Sequence, residues 1–474
     1  MKQLTAFVMS LLITQALLAQ EHQHHQHDHA TPKTDTVKPR QQSHTGGHDH
    51  STASHAQHDD HPSEVPMSHA FSFNLPMNRN GSGTGWLPDE SPMYGQMYHS
   101  KKWMYMLHYN AFLRYNKQDL LDRGTRGDAK VDAPNWVMLM GQRRVGKNGL
   151  FRFSGMLSLD PVIAGGAGYP LLFQTGESWK GKPLVDRQHP HDLVSELSVG
   201  YSLALSPKAD VYAYVGLPGE PAIGPVAFMH RPSALLNPDA TLSHHWTDAT
   251  HITFGVATLG VRYGKFKVEG SSFTGREPDE ARYGFDKPRF DSWSGRLSYN
   301  PSANWAMQVS HGFLKEPEPL HPGEDVRRTT ASVIYSKYNQ GNSYWNATAL
   351  WGVNKTKNHK GEHAALVEGA YTVRRLGVYS RYEWVQKSTE ELVLDEEAYG
   401  HDALFGVHAI TAGLNYRLFT VGNINIAGGG HLTFFSPDQR LASLYGQNPL
   451  GAQVYLRFYP GLMGRKAGRY LLPY

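Results

Sequence analysis

This sequence predicts an all-β fold, a transmembrane antiparallel barrel of about sixteen strands, and three observations carry that prediction. Period-two runs, with one set of alternate positions apolar or aromatic, recur from Trp103 almost to the C-terminus. The segments between them alternate between short turns and long loops, the plan of a barrel that crosses a bilayer. Beyond Gln20 no stretch approaches the roughly 20 consecutive apolar residues that a membrane helix needs, so only strands are left to cross one.

The chain opens with Met1-Lys2, an apolar run from Leu4 to Leu18, and Ala19-Gln20. This pattern predicts a secretory signal peptide over residues 1–19, cleaved after Ala19. The sequence contains no cysteine, which excludes disulfides and a lipid-bearing cysteine. A net charge of +4, with Lys and Arg scattered among acids, gives no basis for a nucleic-acid partner. Residues 20–70 are rich in Gln, His, Asp, Thr and Ser and poor in aliphatics. Such a leader buries too little apolar area to offset its chain entropy and is expected to be disordered. Residues 71–102, rich in Gly, Pro and Met, form a transition segment expected to be ordered by docking on the main domain.

The barrel domain is assigned to residues 103–460, with a C-terminal extension over 461–474. In the run Trp103 to Tyr115 every odd position is apolar or aromatic, whereas the even ones include His108, Asn110 and Arg114. The same signature places strands near 103–115, 133–144, 149–159, 192–203, 209–216, 252–263, 265–274 and 290–299. It continues with 303–311, 327–338, 343–353, 362–374, 376–386, 407–419, 423–434 and 450–459. That count is sixteen, within a range of fourteen to eighteen. Tyr and Trp near many strand ends match interfacial girdles. The competing fold is a soluble β-sandwich or propeller, which also alternates but tolerates outward Trp and Tyr on long strands poorly. Parity puts Arg152, Glu196, Lys267, Glu269, Arg296, Glu368, Arg374, Arg381, Glu383, Arg417 and Arg457 on the lumen side. This mixed lining fits either a solvated pore or a salt-bridged plug.

Two long loops concentrate the chemistry. One carries His189 and His191 beside Asp192; the other carries His230, His244, His245, Asp248 and His251. Three or four imidazoles with a carboxylate can close a Zn or Cu site, and these loops are expected at one rim of the barrel. The alternative is structural: His and Asp would bond loop backbone, with Arg187 and Arg231 pairing to Asp186 and Asp239. In the leader, His22, His24, His25, His27, His29, His48 and His50 are spaced to wrap a Zn, Cu(II) or Ni ion without a preformed site. The alternative there is a polar tether. A hydrolase would need an activated serine among Ser195, Ser233 and Ser243, but none sits in a Gly-x-Ser-x-Gly elbow. The Gly141 to Lys147 run has phosphate-loop spacing but lacks the following Ser or Thr and lies in a hairpin.

The segments Val185–Asp192, Gly224–Ala234, His244–Asp248 and Gly275–Asp279 resemble a family of uncharacterised bacterial outer-membrane barrels, over about residues 85–460. The His-rich leader is similar to those of outer-membrane copper and heavy-metal resistance proteins, although the Met-rich repeats of copper-resistance barrels are missing. These resemblances imply an outer-membrane protein of a Gram-negative bacterium, and a barrel with its short turns in the periplasm places both termini, and so the leader, on that side. The expected function, read from the two histidine sets, is binding or passage of divalent transition metals (Zn, Cu or Ni); the alternatives are a general diffusion porin with structural histidines and an outer-membrane hydrolase. No catalytic residue and no resident cofactor is assigned. The expected partners are membrane lipid, metal ions, a periplasmic or efflux component, and further copies of the chain.

Overall fold

The computed structural model describes residues 67–339, 343–357, 359–466 and 469–471. The predicted signal peptide and all seven predicted leader ligands lie outside the described residues.

Sixteen antiparallel strands close into one barrel. They are Met104–Lys117, the interrupted pair Ala129–Asp132 and Asn135–Val145, then Gly149–Leu157, Val194–Ser206, Ala209–Gly216, Val256–Tyr263, Phe266–Phe273 and Ser292–Tyr299. Trp305–Leu314, Val326–Asn339, Ser343–Lys355, Glu362–Val373, Leu376–Ser388, Leu404–Val421, Ile424–Pro437 and Leu450–Pro460 complete it. Each of the sixteen predicted strands is present, most within three residues of its predicted ends. The break at Ala133-Pro134 arises from proline, which has no N–H to give a ladder. Ala129–Asp132 and Asn135–Val145 pair successive halves of the first strand.

The surface is inverted relative to a water-soluble β-protein. Outward positions are apolar and exposed, as in Leu259 (70%), Val454 (63%) and Val367 (57%). Inward positions carry Thr258, Glu269, Arg296, Glu368 and Arg381, all buried. Only lipid makes this arrangement favourable, and only a closed sheet leaves no backbone group unpaired there. Outward aromatic pairs gather beside the short turns, with ring centroids of Phe266 and Tyr299 4.4 Å apart, Trp305 and Tyr335 4.7 Å, and Trp345 and Tyr371 4.4 Å. A second set, Trp293 with His311 and Tyr382 with His408, lies toward the long loops. Two such belts mark the headgroup levels.

Nine of the eleven residues assigned to the lumen by parity are buried inside the barrel. Arg374 and Arg417 are the two departures. They sit near the short turns and line an open mouth there, a cavity of about 530 Å³. Apolar side chains also turn inward: Met104, Met106, Met138 and Met156 are buried on the lumen face, with Met140 half-buried beside them, and so are Ile334, Leu350, Leu366 and Phe405 on other strands.

The lumen is filled. From Pro218 to Phe254 every residue except His230 is buried, so this loop runs inside the barrel rather than along its rim. Residues 67–95 enter as well. Lys267 donates to the Thr84 carbonyl, Arg296 Nη2 donates to Thr84 Oγ1 (2.8 Å), and Asn300 Nδ2 donates to Leu87 O (3.0 Å). The two fillings meet where Ala227 N donates to Ser82 Oγ at 2.8 Å. The stretch between strands at 158–193, expected to be a long loop, holds a hairpin of Tyr169–Trp179 and Lys182–Gln188. Its apolar residues Tyr169, Leu171, Leu172 and Phe173 pack with Trp246, Phe435 and Tyr445 into the largest buried cluster.

Candidate metal centre

The internal loop is anchored by charge. Arg231, wholly buried, donates through Nε to Glu368 Oε1 and through Nη1 to Asp248 Oδ2, both at 2.9 Å. Glu368 in turn accepts from Arg381 Nε at 2.9 Å. Arg328 Nη2 and Asn354 Nδ2 both donate to the His245 carbonyl, at 2.7 and 2.9 Å. Charge-assisted bonds of this length, shielded from water, are the strong ones. They replace the pairings expected from sequence. Arg231 pairs with Asp248 and Glu368, not Asp239; Arg187 pairs with Asp128 at 2.8 Å, not Asp186. Asp239 serves Arg114 (2.5 Å), and Asp186 serves Phe173 N, Tyr445 and Arg126.

Five of the six loop histidines come together. His189 and His191 leave the hairpin at Gln188, His244 and His245 lie on the short helix His244–Thr247, and His251 ends the turn Ala249–His251. Ring centroids are 5.1 Å apart for His244 and His245, 5.1 Å for His244 and His251, 5.4 Å for His189 and His245, and 5.4 Å for His191 and His251. Two glycines permit this approach. A Cβ on Gly176 would sit 2.2 Å from the His245 ring, and one on Gly224, at φ +83°, would sit 2.1 Å from the Thr247 carbonyl.

The nitrogens divide into two kinds. His244 Nδ1 lies 2.7 Å from Asp248 Oδ1, His191 Nδ1 2.8 Å from Asp160 Oδ2, and His251 Nδ1 2.8 Å from the Asp248 carbonyl. His189 Nδ1 lies 3.1 Å from Glu177 Oε1, and His245 Nδ1 has only a looser 3.4 Å approach to Glu277. Oxygens beside Nδ1 assign the proton there. Every Nε2 of the five is buried and has no hydrogen-bond partner. An oxygen on one imidazole nitrogen with the other left free is how metal-binding histidines are oriented. Ligand atoms of His189, His244 and His245 all lie within 4.8 Å of one another. A tetrahedral Zn centre would bring them to about 3.4 Å.

Burial favours the neutral form, the one that binds a metal, at three of these rings. Burial pulls His189, His244 and His251 below the usual imidazole value, and neighbouring imidazoles add to this at each; Asp248 offsets part of the fall at His244 and His251. Burial works to raise the Asp248 carboxyl, but the hydrogen bond with His244 Nδ1 and the Arg231 charge prevail and hold it well below the carboxylate range.

The other predicted residues have different places. Asp192 pairs with Arg282 at 3.4 Å rather than with an imidazole, and burial lifts its carboxyl to about 6. Asp248 is a support, since both its oxygens are engaged by His244, Arg231 and Phe228 N. His230 faces away from the five, against Trp136 (4.7 Å) and His108 (6.0 Å). Ser195 Oγ donates to Asp192 O (2.8 Å) and Ser233 Oγ to Glu368 Oε1 (3.0 Å), neither to an imidazole.

Sequence reading missed the carboxylates. Glu277 and Glu318 bring oxygens within 4.8 Å of each other and of a His245 nitrogen. Glu318 borders a vestibule of about 470 Å³ on the long-loop side, where His321, Glu324 and Glu390 form a further three-ligand group. Burial raises Glu318 well above the carboxylate range, and the charges of Glu277 and Glu177 raise it further. Isolated acids in separate loops leave no pattern in sequence. Only Glu277, in the Gly275–Asp279 segment, stood in a recognisable motif.

No protein-family model matches the chain, and no curated protein matches it. Solved structures do resemble it. An OmpF of Salmonella typhi in complex with daunomycin is 11% identical, with 77% of this chain and 99% of that chain covered at a TM-score of 0.46. OmpT, an outer membrane protein of Vibrio cholerae, is 10% identical over 75% and 97%, at 0.43. An anion-selective porin from Comamonas acidovorans is 13% identical over 75% and 99%, at 0.41.

Proposed function

We propose that this protein is an outer-membrane barrel of a Gram-negative bacterium whose filled lumen binds divalent transition-metal ions, Zn, Cu(II) or Ni, and hands them along. The observation that carries this reading is the set of five imidazoles, four buried and His191 half-buried, each with a buried, unpartnered Nε2 and four with Nδ1 fixed by an oxygen. Buried polar atoms are ordinarily satisfied, so five orphaned lone pairs in one place mark a missing partner. A metal cation fits them, since these atoms are acceptors that no neighbouring N–H reaches. The acid-lined vestibule supports a cation entering from the long-loop side. That side is external if the short turns face the periplasm, and the leader histidines would then serve ions on the opposite face.

The test is titration of the full chain in detergent with Zn(II), followed calorimetrically, beside His189→Ala and His245→Ala. We expect at least one tight equivalent to disappear in each variant while weaker uptake by the leader remains. Identical isotherms would sink the reading.

A second reading, a diffusion channel for small solutes, is favoured by the open mouth of about 530 Å³ at the short turns. Arg374, Arg375, Arg417 and Arg457 line it, which suits anions. It predicts conductance in planar bilayers that is indifferent to added Zn(II).

A further inference from the structure

Eleven of the fourteen methionines of the chain pack in two groups joined through Met140, eight in the first and three more in the second. Methionine commonly fills gaps in cores, but here five methionines share the lumen face of three neighbouring strands, and the packing leaves a cavity of about 60 Å³. That is room for one or two water-sized bodies. Met93, Met106, Met138 and Met140 line it together with His108 and His230. Met106 stands opposite Met140, and His108 opposite Met138, across one strand pair.

Two features separate this cavity from plain core packing. Among the described residues neither His108 nor His230 is hydrogen-bonded through its ring; their contacts are with each other and with Trp136. No carboxylate lines the space. A divalent ion buried without an anionic ligand is costly, whereas thioethers with imidazole suit a soft, singly charged one. The turn Phe228–His230 links the two sites. Phe228 lies against His191, His244 and His251 of the five-histidine centre, and His230 faces the methionines.

We propose that this methionine and histidine cavity binds a soft monovalent d10 cation, Cu(I) or its stand-in Ag(I). The lumen then presents ligands in series, from carboxylate oxygen through imidazole nitrogen to thioether sulfur. The place in that series rests on the metal-handling role proposed above. The cavity as a binding site does not.

The experiment uses the full chain folded in detergent with 13C-labelled methionine methyls, titrated with Ag(I), which needs no reductant. The cavity methyls are expected to shift saturably, whereas Met307, which lies in an outward groove with Leu297 and Val309, stays fixed. The paired variant Met106→Leu, Met140→Leu conserves volume and so keeps the fold. It should weaken Ag(I) binding about tenfold or more, and His230→Ala should weaken it independently. Absence of saturable shifts overturns the proposal, as does unchanged affinity in the folded paired variant. Zn(II) titrations of the same samples separate the two sites. Zn(II) binding retained while Ag(I) binding is missing overturns this cavity alone; Ag(I) binding retained while Zn(II) binding is missing supports it and overturns the five-histidine centre.

Discussion

Replacing Asp248 by Asn keeps the shape of the side chain and removes what makes it a hub. One of its oxygens meets two donors, Arg231 Nη1 and Phe228 N, each at 2.9 Å. The other meets His244 Nδ1 at 2.7 Å. An amide satisfies the two donors best with its oxygen, which turns its NH2 toward His244 Nδ1. His244 can accept that bond only by moving its own proton to Nε2, and the lone pair offered to a metal is then lost. Disturbing such a supporting partner costs about 10–100-fold in metal affinity, or about 1.4–2.7 kcal/mol. Stability falls too, because Arg231 retains Glu368 as its sole carboxylate partner in a site closed to water. Breaking a buried charge pair costs about 3–5 kcal/mol. The assay is a competitive Zn(II) titration against a chelating dye, with thermal melting of the same samples. A folded Asp248→Asn protein with unaltered Zn(II) affinity would refute the claim that Asp248 sets the His244 tautomer.

Acid should weaken the folded state through the internal histidines. Burial holds His230 at about 4, below its ordinary 6.5, and lowers His189, His244 and His251 as well. The unfolded chain therefore takes up protons first. This contribution is complete above about pH 6.5 and is lost as pH falls toward 4, so denaturation midpoints should drop between pH 7 and pH 5; equal midpoints would contradict it. Arg231→Ala should free the internal loop from Glu368 and Asp248, raising single-channel conductance well above that of the parent, and identical traces would show that other contacts suffice. Leu259→Arg, on the lipid face, should cost about 2–4 kcal/mol in unfolding from vesicles. An unchanged value there would argue against a bilayer around that strand.

The wall of this protein was readable because lipid outside and polar filling inside impose a strict two-residue period, and the strands of one closed sheet obey it together. What fills the wall was not, since a segment such as 217–255 has no period and its position depends on distant partners such as Glu368 and Arg328. A hint lay in composition. Ile223, Val226, Phe228, Leu235 and Leu236 are too apolar for a loop left in water, and all are buried. The histidines stood out by clustering in sequence, whereas Asp160, Glu177 and Glu277 stand singly, far along the chain from one another. Methionine was passed over because it was sought as a sequential repeat. Its mark was Met104 with Met106 and Met138 with Met140, apolar residues on the side of each strand that should be polar.

The seam of the barrel has its own lesson. The first strand pairs with Ala452–Phe458 along one half of its edge and with Gln96–His99 along the other. Gly95 N also donates to Gly461 O at 3.1 Å, tying the two pieces end to end. The short strand that completes the seam is thus continuous with residues 67–95, which occupy the lumen. A cylinder zipped shut beforehand would have to admit that stretch through a bore already occupied by the 217–255 loop. Stowing the N-terminal stretch before the seam closes avoids that passage, like a hull planked over its cargo.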